Sequence, residues 1–243
     1  MEFALVLLII FVAFLVRATF GFGDALIAMP LLVLLIGIQV AAPLMALLAF
    51  VIAFLIYYKN RRSVRIKITL NLVISGLIGV PVGLFYLSEI NEEIINVSLG
   101  VILVLFAIVK ISKIDFHLKN KVHNILVYPV GFVSGILGAA YNTNGPPVIM
   151  LLSSQDWQAK DFRSTLQSYF FFTGIGVVAG HFAWGNISRE VFFYFLAGLP
   201  IVFITFFIGE KWFTKFRNEK FYTWVYAVLL LLGLSLIVKV ILF

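Results

Sequence analysis

The sequence predicts an all-α polytopic membrane protein made of two inverted repeats, each a broken or re-entrant hairpin followed by three transmembrane helices. Three observations carry this. Hydrophobic residues fill 63% of the 243 positions, charged residues only 12%, and the mean hydropathy is +1.11, whereas a soluble domain holds about 25% charged residues. Polar stretches interrupt the apolar runs at corresponding places in the two halves. The basic residues also gather on one side of the membrane only if each interrupted region turns back on itself.

The same composition excludes other classes. No polar stretch exceeds a loop, which leaves no room for a separate soluble domain. There is no Cys, hence no disulfide and no thiolate metal site. The formal net charge of +7 is not a nucleic-acid footprint, because the basic residues lie in short loops, where they set membrane orientation. Residues 1–16 do not read as a signal peptide: Glu2 stands where a basic region belongs, and no small-x-small cleavage site is clear.

A span needs about 20 apolar residues. Stretches 39–58, 68–87, 94–111, 164–184, 191–208 and 221–243 qualify or come close. Residues 5–16 and 25–36 are shorter arms around a polar stretch at 17–24. Residues 125–139 and 148–152 flank Ala140-Tyr141-Asn142-Thr143-Asn144-Gly145-Pro146-Pro147 in the same way. The expected organisation is therefore a first repeat over 1–112 with its hairpin at 5–36, a cytoplasmic linker at 113–124, and a second repeat over 125–243 with its hairpin at 125–153. Gly23 aligns with Gly145, and the same shift sets Leu26-Ile27 on Val148-Ile149.

Loop charge decides between hairpins and single broken spans. Basic clusters occur at Lys59, Arg61, Arg62, Arg65 and Lys67, at Lys110, Lys113, Lys119 and Lys121, at Lys160 and Arg163, and at Lys211, Lys215, Arg217 and Lys220. With two hairpins all four clusters, most of the 18 basic residues, face the cytoplasm. With two single spans the cluster at 211–220 falls outside. Stretch 88–93 carries Glu89, Glu92 and Glu93 and no base, and 185–190 carries only Arg189 among bases. The hairpin arrangement puts both termini on the non-cytoplasmic side of the cell inner membrane. Three full crossings per repeat are an odd number, so the halves point opposite ways. Inverted repeats with Gly/Pro-interrupted segments are a transporter architecture that binds substrate near the bilayer midplane. Eight plain spans in parallel are the alternative.

The candidate site follows from the interruptions. Broken backbone at membrane depth is tolerated only where protein or a water-filled cavity covers it. Pro146-Pro147 suits a helix start and Asn144 a cap before it; Asp24 can cap the helix over 25–36, and Gly37 can end it. Both helix N-termini then aim free N–H groups and positive dipole ends at the middle of the protein, an arrangement that favours a small anion. Gly21, Gly23 and Gly145 allow close backbone approach. Arg17 either faces that anion or forms a structural salt bridge with Asp24, since a central Arg costs about 2.5–3.5 kcal/mol on insertion scales and needs a use. Asp24 is either a helix cap or a carboxylate that takes up a proton as the anion binds. Tyr141 opens the second turn, and Asn142, Thr143 and Asn144 offer donors to anion oxygens or to the broken backbone itself. Arg163 and Gln167 lie four apart on one helix face and can line an access path, Arg163 otherwise being one more loop cation. His181 is either an interface residue or a proton relay. No nucleophile–base pair, carboxylate pair or metal cluster has usable spacing. The chain reads as no enzyme, without cofactor or metal.

With those residues quoted, the chain resembles the sulfite exporter TauE/SafE family of bacterial membrane proteins. The resemblance rests on Asn142-Thr143-Asn144-Gly145-Pro146-Pro147-Val148-Ile149-Met150, then Gln155-Asp156-Trp157 and Phe162-Arg163-Ser164-Thr165-Leu166, with Gly21-Phe22-Gly23 and Pro30-Leu31-Leu32 in the first half. It covers essentially the whole chain. It implies a secondary transporter of sulfur-containing anions such as sulfite, sulfoacetate and other organosulfonates; the expected partners are that anion, the lipid bilayer given by the composition, and protons in the reading in which Asp24 takes one up. Asp24 departs from the family, whose first motif is often richer in glycine. The alternative from another class is a membrane-embedded anion-binding or assembly component that does not transport.

Overall fold

A computed structural model describes residues 2–112, 120–153, 155 and 157–213. All regular structure among these residues is helical: α1 (Glu2–Phe20), α2 (Asp24–Ile36), α3 (Ile38–Asn60), α4 (Ile66–Glu89), α5 (Glu92–Ile111), α6 (Asn120–Tyr141), α7 (Gly145–Ser153), α8 (Ala159–Ala183) and α9 (Arg189–Phe213), with a 3-10 turn at Arg61–Ser63. The expected span 221–243 and most of the linker 113–124 lie outside the described residues. Within the described chain, helices of 19 to 26 residues at Glu2–Phe20, Ile38–Ser63, Ile66–Glu89 and Arg189–Phe213 are long and apolar enough to cross a membrane. α8 has the length, at 25 residues, but carries a polar run, Arg163-Ser164-Thr165 and Gln167-Ser168, and all five of these side chains are buried. Its polarity faces inward, which lowers its hydropathy without exposing charge to lipid.

Local chemistry sets the boundaries. The Asn91 side chain accepts from the Glu93 N–H at 2.8 Å, and the Ser188 hydroxyl accepts from the Val191 N–H at 3.2 Å, capping the starts of α5 and α9. Gly37 ends α2 as expected, its N–H bonding to the Val33 carbonyl. α1 runs four residues past Val16, so Arg17, Ala18, Thr19 and Phe20 are helical and the first break is only Gly21–Gly23. Arg and Ala are good helix formers, and nothing stops the helix before the first glycine.

Side-chain contacts fix the directions of the helices between two ends of the bundle. At one end Arg65 pairs with Asp161 (2.6 Å) and Lys59 with Glu210 (2.8 Å). At the other, the Gln39 amide donates to the Leu87 carbonyl (2.8 Å) and Asn186 lies 3.5 Å from the Ser88 hydroxyl. α3 runs from the Ser88 end to the Arg65 end, and α8 runs the opposite way beside it. α1 runs parallel to α9, with the Phe3 ring centroid 5.4 Å from that of Phe193 and Ala18 against Gly209. α2 then turns back toward Gln39. α6 runs parallel to α4, with Gly131 on Leu72 and Ala139 on Gly83. α7 turns back, so that Val148, Ile149, Leu151 and Leu152 share one cluster with Leu72, Val73 and Val127. The α1–α2 hairpin thus opens toward the Ser88 end and the α6–α7 hairpin toward the Arg65 end.

The α4–α6 seam is built from small residues. Gly76, Gly79 and Gly83 face Gly131, Gly135 and Ala139, and a methyl added at Gly83 would lie 2.9 Å from the Ala139 Cβ. Lipid tails are as apolar as Leu, so helices associate in a bilayer through such close contact. Outward faces are apolar: Leu70, Ile74, Ile78 and Phe85 on α4, and Phe192, Phe193, Leu196, Phe203 and Phe207 on α9, are all exposed. α1 packs on α9 as α6 packs on α4, and α3 packs on α9 as α8 packs on α4.

Candidate functional site

Two turns meet halfway along the bundle. In the first, Gly21 and Gly23 take φ of 89° and 104°, conformations that strain any side chain. The Gly21 N–H bonds to the Arg17 carbonyl at 2.7 Å and closes α1. In the second, Asn142 takes φ 53°, its N–H bonds to the Gly138 carbonyl (3.0 Å), and the Thr143 N–H reaches the Leu137 carbonyl (3.2 Å). This is a left-handed C-cap with Asn in the position that usually holds Gly. The Ser134 hydroxyl donates to the Asn144 carbonyl and ties the turn to α6. Gly145 begins α7, and Pro146 and Pro147 fall in its first turn, where their missing N–H groups cost nothing.

Between the turns lies a void of about 10 Å³, lined by Arg17, Asn142 and Asn144, by the small residues Ala46, Ala49 and Gly174, and by Phe50, Phe170 and Val177. Ala49 is near the midpoint of α3 and Gly174 near that of α8. A volume of about 10–15 Å³ holds one water, so a three-oxygen anion does not fit in this arrangement.

Arg17 is 4% exposed and engaged through both terminal nitrogens, while its Nε has no partner among the described residues. It donates to the Asp24 carboxylate at 2.6 Å and to the Gln167 amide oxygen at 3.3 Å, and its guanidinium lies 5.0 Å from the Phe170 ring centroid. The Gln167 amide nitrogen donates to the Gly21 carbonyl. Asp24 does not cap α2: the cap is Gly23, with no side-chain bond. Its carboxylate turns to Arg17 instead, because an unpaired buried guanidinium is far costlier than a missing cap. One face of α8 thus holds the first hairpin's turn from 150 residues away in sequence.

Arg163, one turn earlier on α8, holds the same turn as well. It is 2% exposed, donates to the Ala18 carbonyl at 2.6 Å, pairs with Glu210 at 2.5 Å, and lies over the Phe213 ring at 4.3 Å. A methyl on Gly21 would lie 3.0 Å from its Cγ. It is therefore not a solvated loop cation.

The remaining candidates sit apart from the void. Tyr141 shares a 2.5 Å hydrogen bond with the Ser98 hydroxyl and meets Tyr86 edge-on. Thr143 is 1% exposed with no partner for its hydroxyl among the described residues. His181 is 1% exposed; its Nδ1 is 3.3 Å from the Asn186 amide, and its Nε2 has no partner among the described residues. It follows Val177 by one turn of α8, toward the Ser88 end.

Sequence reasoning missed Phe170 and Glu210. Phe170 reads as one more of 26 Phe; its spacing of three from Gln167 is the signal that puts it on the same face. Glu210 is an acid within the apolar end of a predicted span, at the head of a basic cluster, and a carboxylate there calls for a cation partner.

No curated protein and no solved structure matches the chain. A family model described as sulfite exporter TauE/SafE matches residues 6–236, a stretch that contains both turns and every residue that lines the void. The chain is therefore a multi-pass membrane protein of the sulfite exporter TauE/SafE family.

Proposed function

We propose that the chain is a secondary transporter of a small sulfur-containing anion, sulfite, sulfoacetate or another organosulfonate, in the cell inner membrane. The carrying observation is that Arg17 from one hairpin and Asn142 and Asn144 from the other line one void at mid-bundle. In this reading the two halves are inverted repeats. Support comes from the principal packing, α1 on α9 with α6 on α4 and α3 on α9 with α8 on α4, which is preserved when α1, α3 and α4 are exchanged for α6, α8 and α9, while α3 and α8 run in opposite directions. Alternating access is then a rocking of one half against the other about the central site.

The chemistry suits an oxyanion. Arg17 offers a planar fork of donors, Asn142 and Asn144 offer amide donors, and the starts of α2 and α7 leave backbone N–H groups without helical partners. Asp24 occupies Arg17 in the closed arrangement, so the anion and this carboxylate compete for one cation. Binding then displaces Asp24 from Arg17, and a proton is the coupling ion only in the reading in which the freed carboxylate takes one up. His181, one turn beyond the void-lining Val177, is the second titratable group on that route.

Labelled sulfite counterflow in proteoliposomes tests the proposal. Wild-type protein should exchange sulfite across the bilayer, and Asn142→Ala and Asn144→Ala should each weaken apparent affinity roughly ten-fold, the loss of about 1.4 kcal/mol expected of a hydrogen bond to a charged group. Saturable sulfite binding without counterflow would favour the non-transporting alternative.

A further inference from the structure

A second cavity lies at the Arg65 end, on the outside of the bundle. Its volume is about 550 Å³, and its walls are Phe54, Leu55 and Tyr58 of α3, Phe206 of α9, and the cations Lys59, Arg61, Arg62 and Lys160. On α3 these residues are turned roughly 150° from the Ala46, Ala49 and Phe50 face that lines the central void, at 3.6 residues per turn. Phe54 and Tyr58 are 42% and 59% exposed, so the cavity opens toward the surface that meets lipid. Lys59 is held by Glu210 at 2.8 Å, and Arg61 lies over the Tyr58 ring at 4.6 Å. Among the described residues, Arg61, Arg62 and Lys160 have no acidic partner.

We propose that this cavity is a binding site for an anionic phospholipid, with the headgroup phosphate among Arg61, Arg62 and Lys160 and the acyl chains along Phe54, Tyr58 and Phe206. Charge complementarity and position carry it. Cations at the end of the spans lie at the level of headgroups, aromatic rings one turn deeper lie at the level of the glycerol and upper chains, and basic pockets between helices recognise such headgroups. The volume falls in the range of pockets that hold small ligands, about 300–1,000 Å³. The site is separate from the central void, and the proposal does not depend on what that void binds.

Native mass spectrometry of the purified full chain tests it, with phosphatidylglycerol, phosphatidylcholine and glycerol phosphate as probes. Phosphatidylglycerol should be retained in preference to phosphatidylcholine. The triple variant Arg61→Gln/Arg62→Gln/Lys160→Gln should bind it at least ten-fold more weakly, and Arg189→Gln at the opposite end should bind it like wild type. Lys160→Glu alone gives the same readout should the triple variant fail to fold. Equal retention of phosphatidylcholine, unchanged affinity in the variants, or displacement of the lipid by glycerol phosphate at equal concentration would overturn the proposal, the last by making it a site for free phosphate.

Discussion

Arg17 and Asp24 form a buried ion pair whose two members have different replacements. Among the described residues the guanidinium has only Asp24 as an anionic partner, at 2.6 Å, with Gln167 and Phe170 as weaker neighbours. Removing one member of a buried pair costs about 3–5 kcal/mol, because the other charge is left uncompensated. Asp24→Asn should therefore lower the melting temperature on the order of 10 °C for a chain of this size. The double variant Arg17→Met/Asp24→Asn should recover much of that loss. The anion then adds a diagnostic step: if it takes the place of the carboxylate, sulfite should stabilise Asp24→Asn more than wild type, by mass action on the vacated guanidinium. The same variant should lose the response of transport to a pH gradient. Equal stabilisation of both proteins by sulfite, with an intact pH response, would assign Asp24 a purely structural role.

Among the elements, the two helix breaks are the most legible and the fastenings of their turns the least. Gly21, Gly23, Asn142 and the two prolines mark both breaks in the sequence, because no other residue types take positive φ or start a helix at those points so readily. Where each break begins was less legible: Arg17 to Phe20 are polar or mixed in character, yet continue α1. The bonds that hold the turns are long-range and leave no local pattern. Gln167 reaches Gly21, and Arg163 reaches Ala18 and Glu210, across distances that spacing arguments do not span. The Arg163–Glu210 pair stood in two separate basic clusters, where a charge count sees only orientation. A test at this scale is Gly23→Ala. With φ at 104° and the Val16 side chain 3.3 Å from the added methyl, the variant should lose about 1–3 kcal/mol, seen as a lower melting temperature. Ile78→Ala on the exposed face of α4 should change little.

At the scale of the molecule, the transport reading depends on both hairpins returning to the side they came from, and on those sides being opposite. The chain lacks Cys, so single cysteines can be placed without removing any native thiol. Ser112 closes α5 and Gln158 precedes α8, and both are exposed. The α6–α7 hairpin lies between them. If α7 returns along α6, Ser112→Cys and Gln158→Cys should react with a membrane-impermeant maleimide from the same side, together with Arg62→Cys. If α6 and α7 were instead one broken span, the two labels would fall on opposite sides. Glu2→Cys and Gln39→Cys bracket the α1–α2 hairpin in the same way, and they should label with Gly185→Cys from the other face. The basic residues Lys59, Arg61, Arg62, Arg65 and Lys160 share the Arg65 end, and the positive-inside rule predicts that this end faces the cytoplasm. Labelling of Arg62→Cys should therefore be strong in inside-out vesicles and absent in right-side-out ones. Two hairpins that label from the same face would leave no opposed pair of half-helices to alternate about the void, and the inverted-repeat mechanism would fall with them.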